Sequence, residues 1–179
     1  DREAVKDIAE HLIALGHTDI GFIKGPDNSK SAAERHEAFR DALEQNGVHL
    51  GAKHIAFGAN TFQSGVDCAV QLLKSENPPT AIFASNDEMA IGVMVTAQKM
   101  GIDIPNELTI IGFDDTPQAS KVWPALTTVN LKVKEMGKLA TQKLLALCSN
   151  NIGLAKTIKS ELVPTLVRRE TTAPPPILR

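Results

Sequence analysis

Apolar residues recur every three or four positions in several segments, and this spacing predicts amphipathic helices. The periodic residues are Val5, Ile8, Ala9, Leu12 and Leu15; Phe39, Ala42 and Leu43; Val66, Ala69, Val70 and Leu73; Met89, Ala90, Val93, Met94 and Ala97; and Val133, Met136, Ala140, Leu144 and Leu147. Gly16, Gly47 and Gly101 follow three of these segments, as is typical of helix ends. Ser31-Ala32-Ala33-Glu34 has the form of a capping box and predicts the start of the second helix.

Short apolar runs rich in β-branched residues lie between the helical segments and predict buried strands. Turn-forming pairs such as Gly25-Pro26 and Pro78-Pro79 bound them. The predicted strands are Ile20–Ile23, a weak one at His54–Phe57, Thr80–Ala84 and Leu108–Gly112, followed by extended pieces at Thr127–Val129, Thr157–Val163 and Leu166–Arg168. This alternation of strand and helix predicts an α/β fold, with a doubly wound, mainly parallel sheet and helices on both faces.

Three of the predicted strands are followed directly by clusters of polar residues. In a parallel sheet the carboxyl ends of the strands share one edge, which is where ligands bind in open α/β folds. We therefore expect the three clusters to converge. They are Asn28, Ser31 and Arg35; Ser85, Asn86 and Asp87; and Asp114, Asp115 and Thr116.

The chemistry of these side chains suits a neutral ligand rich in hydroxyl groups. The Asp114 carboxylate can accept hydrogen bonds from two hydroxyls, Arg35 offers a rigid fork of donors, and Asn86 offers both donor and acceptor. Other roles compete with ligand binding. Asn86 and Asp87 are both typical N-cap residues. Asp115 precedes a turn-like Thr-Pro pair, and the residues alone favour a solvated helix position for Arg35.

The composition of the chain argues against several classes of function. The chain has 179 residues, of which 42% are hydrophobic, with a formal net charge of -2 and a pI near 6.2. This balance argues against a free-standing nucleic-acid-binding surface. The apolar runs are too short to span a membrane. Cys68 and Cys148 lie within apolar helical patterns and are interpreted as buried free thiols in a reducing compartment.

Sequence signatures of enzymes, metals and cofactors do not occur in the chain. There is no GxGxxG or Walker-type loop, and the five histidines lack ligand spacing. No set of nucleophile, base and orienting residue is recognisable. We therefore predict a binding protein without catalytic residues, metal or cofactor.

Short motifs stand out over nearly the whole chain. They are Ala14-Leu15-Gly16-His17 with the IGFI strand and Gly25-Pro26, SAAERHEAF at 31–39, ASNDEMAIG at 84–92, IPNELTIIGFDD at 104–115, PALTTV at 124–129 and LVRR at 166–169. Each is modest evidence alone, but IPNELTIIGFDD followed by PALTT is highly specific. In this order the motifs resemble the LacI/GalR family of bacterial transcription regulators.

The resemblance implies an effector-binding domain of the periplasmic-binding-protein type, built of two α/β subdomains. Residues 1–129 correspond to the C-terminal subdomain, 130–160 to a segment returning to the N-terminal subdomain, and 161–179 to the final strands and a Pro-rich tail. The family's helix-turn-helix, hinge helix and most of its first subdomain have no counterpart in this sequence. The helix near Val133–Leu147 is then expected to lack its packing partner.

The resemblance also implies particular ligand contacts. Asp114 matches the acceptor of effector hydroxyls, and Arg35 matches the effector-binding arginine. Asn86 matches a polar contact at the start of the next helix, and Ser31 a weaker one. Asn60 stands where many members carry an aromatic platform, so the identity of the ligand does not carry over.

Dimerisation is the second function that the resemblance implies. Family members pair through the helix that follows Asn86 and through the loop before the PALTT strand. The corresponding residues here are Val93, Met94, Val122 and Trp123. An exposed patch of tryptophan and methionine would suit such an interface.

Together these features predict the effector-binding, dimer-forming part of a cytoplasmic, sugar-responsive repressor. The homodimer would reach operator DNA only through a domain outside this sequence and would contact no membrane. Ligand would favour one arrangement of the subdomains over another. Two alternatives remain, a secreted sugar-binding protein serving a transporter and an enzyme using Asp114 and Asp115. The enzyme is the weaker alternative because adjacent carboxylates are poorly placed to flank a scissile bond.

Overall fold

The computed structural model describes residues 2–149 and 162–177. In this part of the chain the helices are α1 (Arg2–Leu15), α2 (Lys30–Gln45), α3 (Phe62–Leu73), α4 (Asp87–Lys99) and α5 (Val133–Cys148). The strands are β1 (Ile20–Lys24), β2 (Ile55–Phe57), β3 (Ala81–Ala84), β4 (Thr109–Ile111), β5 (Thr128–Asn130) and β6 (Thr165–Val167). The extended piece predicted at Thr157–Val163 falls almost entirely outside the described residues.

The first four strands form one parallel sheet in the order β2-β1-β3-β4. Helices α1 and α2 cover one face of this sheet, and α3 and α4 cover the other, each over its own buried apolar cluster. The predicted doubly wound α/β fold is confirmed. Its strands are short and buried, as expected where helices cover both faces of a parallel sheet.

Aromatic side chains organise the α2 side of the sheet. The Phe83 ring centroid lies 5.3 Å from that of Phe22 and 5.0 Å from that of Phe39, and Phe113 continues the row at 6.4 Å from Phe83. All four rings are fully buried. This row extends from the centre of the sheet to the carboxyl end of β4. There the Phe113 ring packs against Arg35, one of the polar residues at the edge of the sheet.

Helix α2 begins two residues earlier than the predicted capping box implies. Ser29 is its N-cap, and the Ser29 hydroxyl accepts a hydrogen bond from the backbone N–H of Ala32 at 3.3 Å. Ser31 is instead an exposed residue within the first turn. The predicted capping box at Ser31 is therefore wrong, because the side chain of Ser29 two residues earlier makes the cap instead.

Helices α3 and α4 approach each other closely near their N-termini. A methyl group on Gly65 would overlap the backbone of Met89, and one on Gly92 would overlap the carbonyl of Phe62. Only glycine permits this approach of the two backbones. The contact brings the loop before α3, which contains Asn60, beside the start of α4.

Strands β5 and β6 form a separate antiparallel pair next to the β4 edge. Isolated parallel bridges join Ile111 to Thr127 and Asp114 to Asn130. The segment after β6 is also anchored to β4, because the Thr171 hydroxyl donates to the carbonyl of Ile110 at 2.6 Å. The segment after β6 therefore returns to the sheet directly beside β4.

Helix α5 exposes most of its apolar side chains. Val133, Leu144 and Leu145 are each more than 60% exposed, and Ala146 is the only buried residue of the helix. Cys148 at its end is an exposed free thiol, whereas Cys68 in α3 is buried and free. The expectation of a buried thiol is thus correct for Cys68 and wrong for Cys148. No described helix is long and apolar enough to cross a bilayer.

Candidate functional site

The polar segments that follow β1, β3 and β4 meet at one edge of the sheet, as the sequence predicts. Arg35, in the second turn of α2, makes the closest link. Its Nη1 donates a hydrogen bond to the carbonyl of Ser85 at 2.8 Å, and its guanidinium carbon lies 3.9 Å from the ring centroid of Phe113. Arg35 therefore ties the end of β3 to the end of β4 and is not a solvated helix residue.

Burial and stacking give this arginine a fixed orientation. Desolvation lowers the pKa of Arg35, while the negative charge of Asp114 opposes that effect. An arginine keeps its charge under such conditions, since its ordinary pKa is far above neutrality. A planar cation resting on an aromatic ring presents its donors along defined directions, which suits recognition of a hydroxylated ligand.

Asp114 is the acidic partner of Arg35 at the site. Burial raises the pKa of its carboxyl to about 6, although Arg35 lowers it in part and the charge of Asp87 raises it further. None of these effects on the pKa of Asp114 comes from a hydrogen bond with a described side chain. The backbone N–H of Asp114 donates to the carbonyl of Val129 at 3.0 Å, which fixes the residue but leaves its carboxylate able to accept other hydrogen bonds.

Asp115 has a different set of partners from its neighbour. Its Oδ1 accepts from Nη2 of Arg169 at 2.6 Å, and its Oδ2 accepts from Nδ2 of Asn130 at 2.6 Å. Both oxygens are thus engaged within the protein. The sequence-based interpretation of Asp115 as a structural residue agrees with this geometry, and its link to Arg169 was not foreseen.

Asn86 is the N-cap of α4. Its Oδ1 accepts from the backbone N–H of Met89 at 2.9 Å, and its Nδ2 donates to the carbonyl of Asn60 at 3.0 Å. The amide still has one lone pair and one N–H for a ligand. The structure therefore establishes the capping role, and ligand contact by Asn86 stays a prediction.

Asp87 serves neither as a cap nor as a ligand contact. It is fully buried, and its carboxylate accepts from the hydroxyl of Thr128 at 2.5 Å and from the backbone N–H of Thr116 at 2.7 Å. Burial raises the pKa of Asp87, and these hydrogen bonds oppose the rise. It joins α4, the loop after β4 and β5. Sequence reasoning missed this role because its partners are remote along the chain.

Comparison with known proteins identifies the family. Residues 9–172 match the model of the periplasmic binding protein-like domain. The chain is 36% identical over 175 residues to the probable HTH-type transcriptional repressor ExuR of Bacillus subtilis, covering 96% of this chain and 53% of that protein. The chain belongs to the LacI family, within the periplasmic-binding-protein-like group.

Solved structures of LacI-family proteins have the same architecture. A sugar-binding LacI-family regulator from Escherichia coli superposes with a TM-score of 0.83 at 30% identity, over 97% of this chain and 62% of that one. A dimeric lac repressor superposes with a TM-score of 0.87 at 31% identity, with the same coverage of 97% and 62%. The chain thus spans about half the length of its curated relative ExuR and under two thirds of these structures.

Two other positions suggested by the LacI-family resemblance lie near the site. Ser31 is exposed, and its hydroxyl lies 3.1 Å from that of Ser29. Asn60 is exposed and adopts a left-handed backbone conformation with φ of 59°. The backbone carbonyl of Asn60 accepts the hydrogen bond from Asn86, so Asn60 lies beside the start of α4. Among the described residues, no group of three or more metal-ligating side chains could hold a metal ion.

Two residues expected at the LacI-type dimer surface lie inside the core instead. Val93 is 0% exposed and Met94 2% exposed, and both pack in the layer between α4 and the sheet. They belong to the apolar stripe of α4 that packs into the core. Most of the other residues of this helix are also buried. They cannot touch a partner in this conformation, which corrects their assignment.

The exposed part of the predicted dimer surface is centred on Trp123. Its side chain is 79% exposed, and its carbonyl accepts from Nε2 of Gln98 at 2.8 Å, which holds the loop against the end of α4. Ile91 and Val95 lie on the same helix face as Gln98 and are partly exposed. Together with the half-buried Val122, we call these apolar residues the Trp123 surface.

Replacement of the two adjacent aspartates should separate their roles in stability. Asp115→Asn should lower the free energy of unfolding by about 2 kcal/mol, because Arg169 would lose its counter-ion in a largely buried position. The matched variant Asp114→Asn should cause no loss at pH 8, because it removes a partly desolvated charge. Urea unfolding measures both values. Equal losses in the two variants would contradict this division.

The raised pKa of Asp114 predicts a specific pH dependence. Between the ordinary value of 3.8 and about 6, the folded carboxyl binds more protons than the unfolded one. Stability from this group therefore decreases as pH rises through that window. Asp114→Asn should accordingly become more stable relative to the wild type from pH 4 to pH 7 in urea unfolding. Parallel stability curves for the two proteins would refute the assignment.

Proposed function

We propose that this chain forms the C-terminal lobe of the effector-binding region of a LacI-type transcription repressor, with a sugar-like effector. The observation that carries the proposal is the placement of Asp114 and Arg35 at the carboxyl edge of the parallel sheet, where their opposite charges interact. The carboxylate supplies acceptors and the stacked guanidinium supplies donors. A vicinal pair of hydroxyls, each a donor and an acceptor, matches this combination.

The electrostatics of the site favour a hydroxylated neutral ligand over an ionic one. The pKa of Asp114 is about 6, so the carboxyl is mainly ionised at neutral pH and its charge balances that of Arg35. Charge-assisted hydrogen bonds from ligand hydroxyls to this carboxylate would be stronger than neutral ones. The sugar-binding regulator from Escherichia coli, which shares this fold, supports a sugar as the ligand class.

The exposed apolar residues of α5 support a second lobe encoded outside this sequence. Met136 and Leu147 are about half exposed, in addition to the more exposed residues named above. The chain also spans only 53% of ExuR. We therefore propose that 1–129 form this lobe, that 130–160 return to the other lobe, and that 161–179 form the final strand and a Pro-rich tail. The other lobe would cover α5 and form the opposite wall of the ligand site.

Control of transcription would follow from closure of the two lobes. A ligand held between them stabilises the closed arrangement by the difference in its affinity for the two states. A DNA-binding domain upstream of the two lobes would then change its operator affinity. A cytoplasmic location is part of this proposal. The relatives reported above are transcription regulators, which favours this function over transport.

The structure also weakens the alternative of an acid–base enzyme. Such an enzyme would need both Asp114 and Asp115 at the reacting bond. Both oxygens of Asp115 are occupied by Arg169 and Asn130. Asp115 therefore cannot take part without breaking a largely buried ion pair.

A sugar panel tests the proposed function on the full-length protein that contains this chain. Monosaccharides and their uronic and phosphorylated derivatives should be screened by thermal shift, since a ligand specific for the folded state raises the melting temperature. We expect at least one to bind, and to change retention of operator DNA in an electrophoretic assay.

The control for this experiment is the isosteric variant Asp114→Asn, which keeps the shape of the side chain but loses its charge. It should fold and should lose the thermal shift and the DNA response to the same sugar, with at least a 100-fold weaker affinity by calorimetry. Unchanged affinity in the variant would exclude Asp114 from the site. A panel without any hit would argue against a sugar effector.

Dimer formation through the Trp123 surface is the second part of the proposal. The related lac repressor structure is dimeric, and an exposed tryptophan beside an apolar helix face is typical of an interface. Trp123→Lys should convert the full-length protein to a monomer in sedimentation velocity, because it places a charge at the interface centre. Phe57→Lys, at another exposed aromatic residue, is the matched control and should stay dimeric. Equal behaviour of the two variants would disprove this interface.

A further inference from the structure

The loop that presents Asp114 has an unusual backbone. Asp114 has φ of 118° and Asp115 has φ of 52°, so two successive residues with side chains lie in the left-handed region. Such backbone conformations are unfavourable for residues with side chains and persist only where their surroundings enforce them. The contacts that hold this turn therefore determine the direction of the Asp114 side chain.

The side chain of Asp115 makes the strongest of these contacts. Its ion pair with Arg169 is 2.6 Å long, and the two side chains are only 14% and 19% exposed. The second oxygen is held by Asn130 at 2.6 Å. Charge-assisted hydrogen bonds in such a protected position are about twice as strong as neutral ones.

Arg169 is itself held in place by the segment that leads into β5. Its Nη1 donates to the carbonyl of Leu126 at 2.8 Å, and its backbone N–H donates to the hydroxyl of Thr127 at 2.9 Å. The Arg169 side chain thus connects three parts of the chain: the segment after β6, the segment that leads into β5 and the turn after β4. A lysine could not make these contacts together, because its ammonium lacks the planar fork.

Asp114 depends on the turn for its orientation. Its backbone is held by Val129, but its carboxyl is influenced by burial and nearby charges and by no hydrogen bond from a described side chain. We propose that Arg169 is a positioning residue of the effector site, which acts through Asp115 to hold the turn and aim the Asp114 carboxylate toward Arg35. The functional meaning of this arrangement rests on the proposed effector site, but its geometry does not.

The test is the titration of the Asp114 side chain by carbon-13 NMR, which needs no ligand. In Arg169→Met we expect the turn to relax, the carboxyl to reach solvent and its pKa to fall from about 6 toward 3.8. Loss of a nearby positive charge alone would raise the pKa, so the direction of the change separates the two effects. Arg168→Met, at the exposed neighbouring arginine, is the matched control and should leave the titration unchanged.

Two further variants keep the test decisive if Arg169→Met does not fold. Asn130→Ala removes the other partner of Asp115 and should shift the Asp114 titration in the same direction by a smaller amount. Arg169→Lys should give an intermediate pKa, since it keeps the charge without the fork. If these variants lose stability while Asp114 still titrates near 6, Arg169 stabilises the fold only and the inference is wrong. Failure of every sugar to bind would leave this result intact, so the two proposals fail separately.

Discussion

The parallel pairing of β1, β3 and β4 is the constraint on which the rest of this structure depends. Because the three strands run in the same direction, the chain leaves all of them at one edge of the sheet. Arg35, Ser85 and Asp114 meet there although they are remote in sequence. Burial of the aromatic row then gives the Arg35 guanidinium a flat surface in the ring of Phe113. The site is thus a direct consequence of strand direction and of one packed layer.

The two adjacent aspartates have opposite electrostatic environments in the fold. Asp115 contributes stability, since its charge is compensated by Arg169 and its oxygens are both used. Asp114 is partly desolvated with a raised pKa, which is unfavourable for the folded state and typical of a binding position. In the proposed arrangement the contacts of Asp115 hold the turn that places Asp114 in this position. Selection for stability alone would replace Asp114 before Asp115.

Local patterns were sufficient to predict the fold and the meeting of the polar segments at one edge of the sheet, but not the contacts that complete the candidate site. The strands were found within one residue because apolar runs and turn residues mark them. The capping-box pattern indicated Ser31, whereas Ser29 caps α2, since a serine at either position can accept the backbone N–H. No local pattern indicated the pairing of Asp115 with Arg169, which joins distant segments. The family resemblance assigned Val93 and Met94 to the dimer surface, but both belong to the apolar stripe of α4 that packs into the core, whereas contact with a partner requires an exposed face.

Strands β5 and β6 connect the turn that presents Asp114 to α5, the helix that would contact a second lobe. Asp87 binds Thr128 of β5, and Asp115 binds Arg169 just after β6, so the loop presenting Asp114 is fastened to both strands. Strand β5 leads within a few residues into α5, whose apolar side chains face outward. In the proposed repressor, a lobe packed on α5 would move β5 when the cleft closes. Since coupling between two sites is reciprocal, a ligand that fixes Asp114 must also bias the position of that lobe. Effector binding and lobe movement would then share one set of hydrogen bonds around the turn at 114–115.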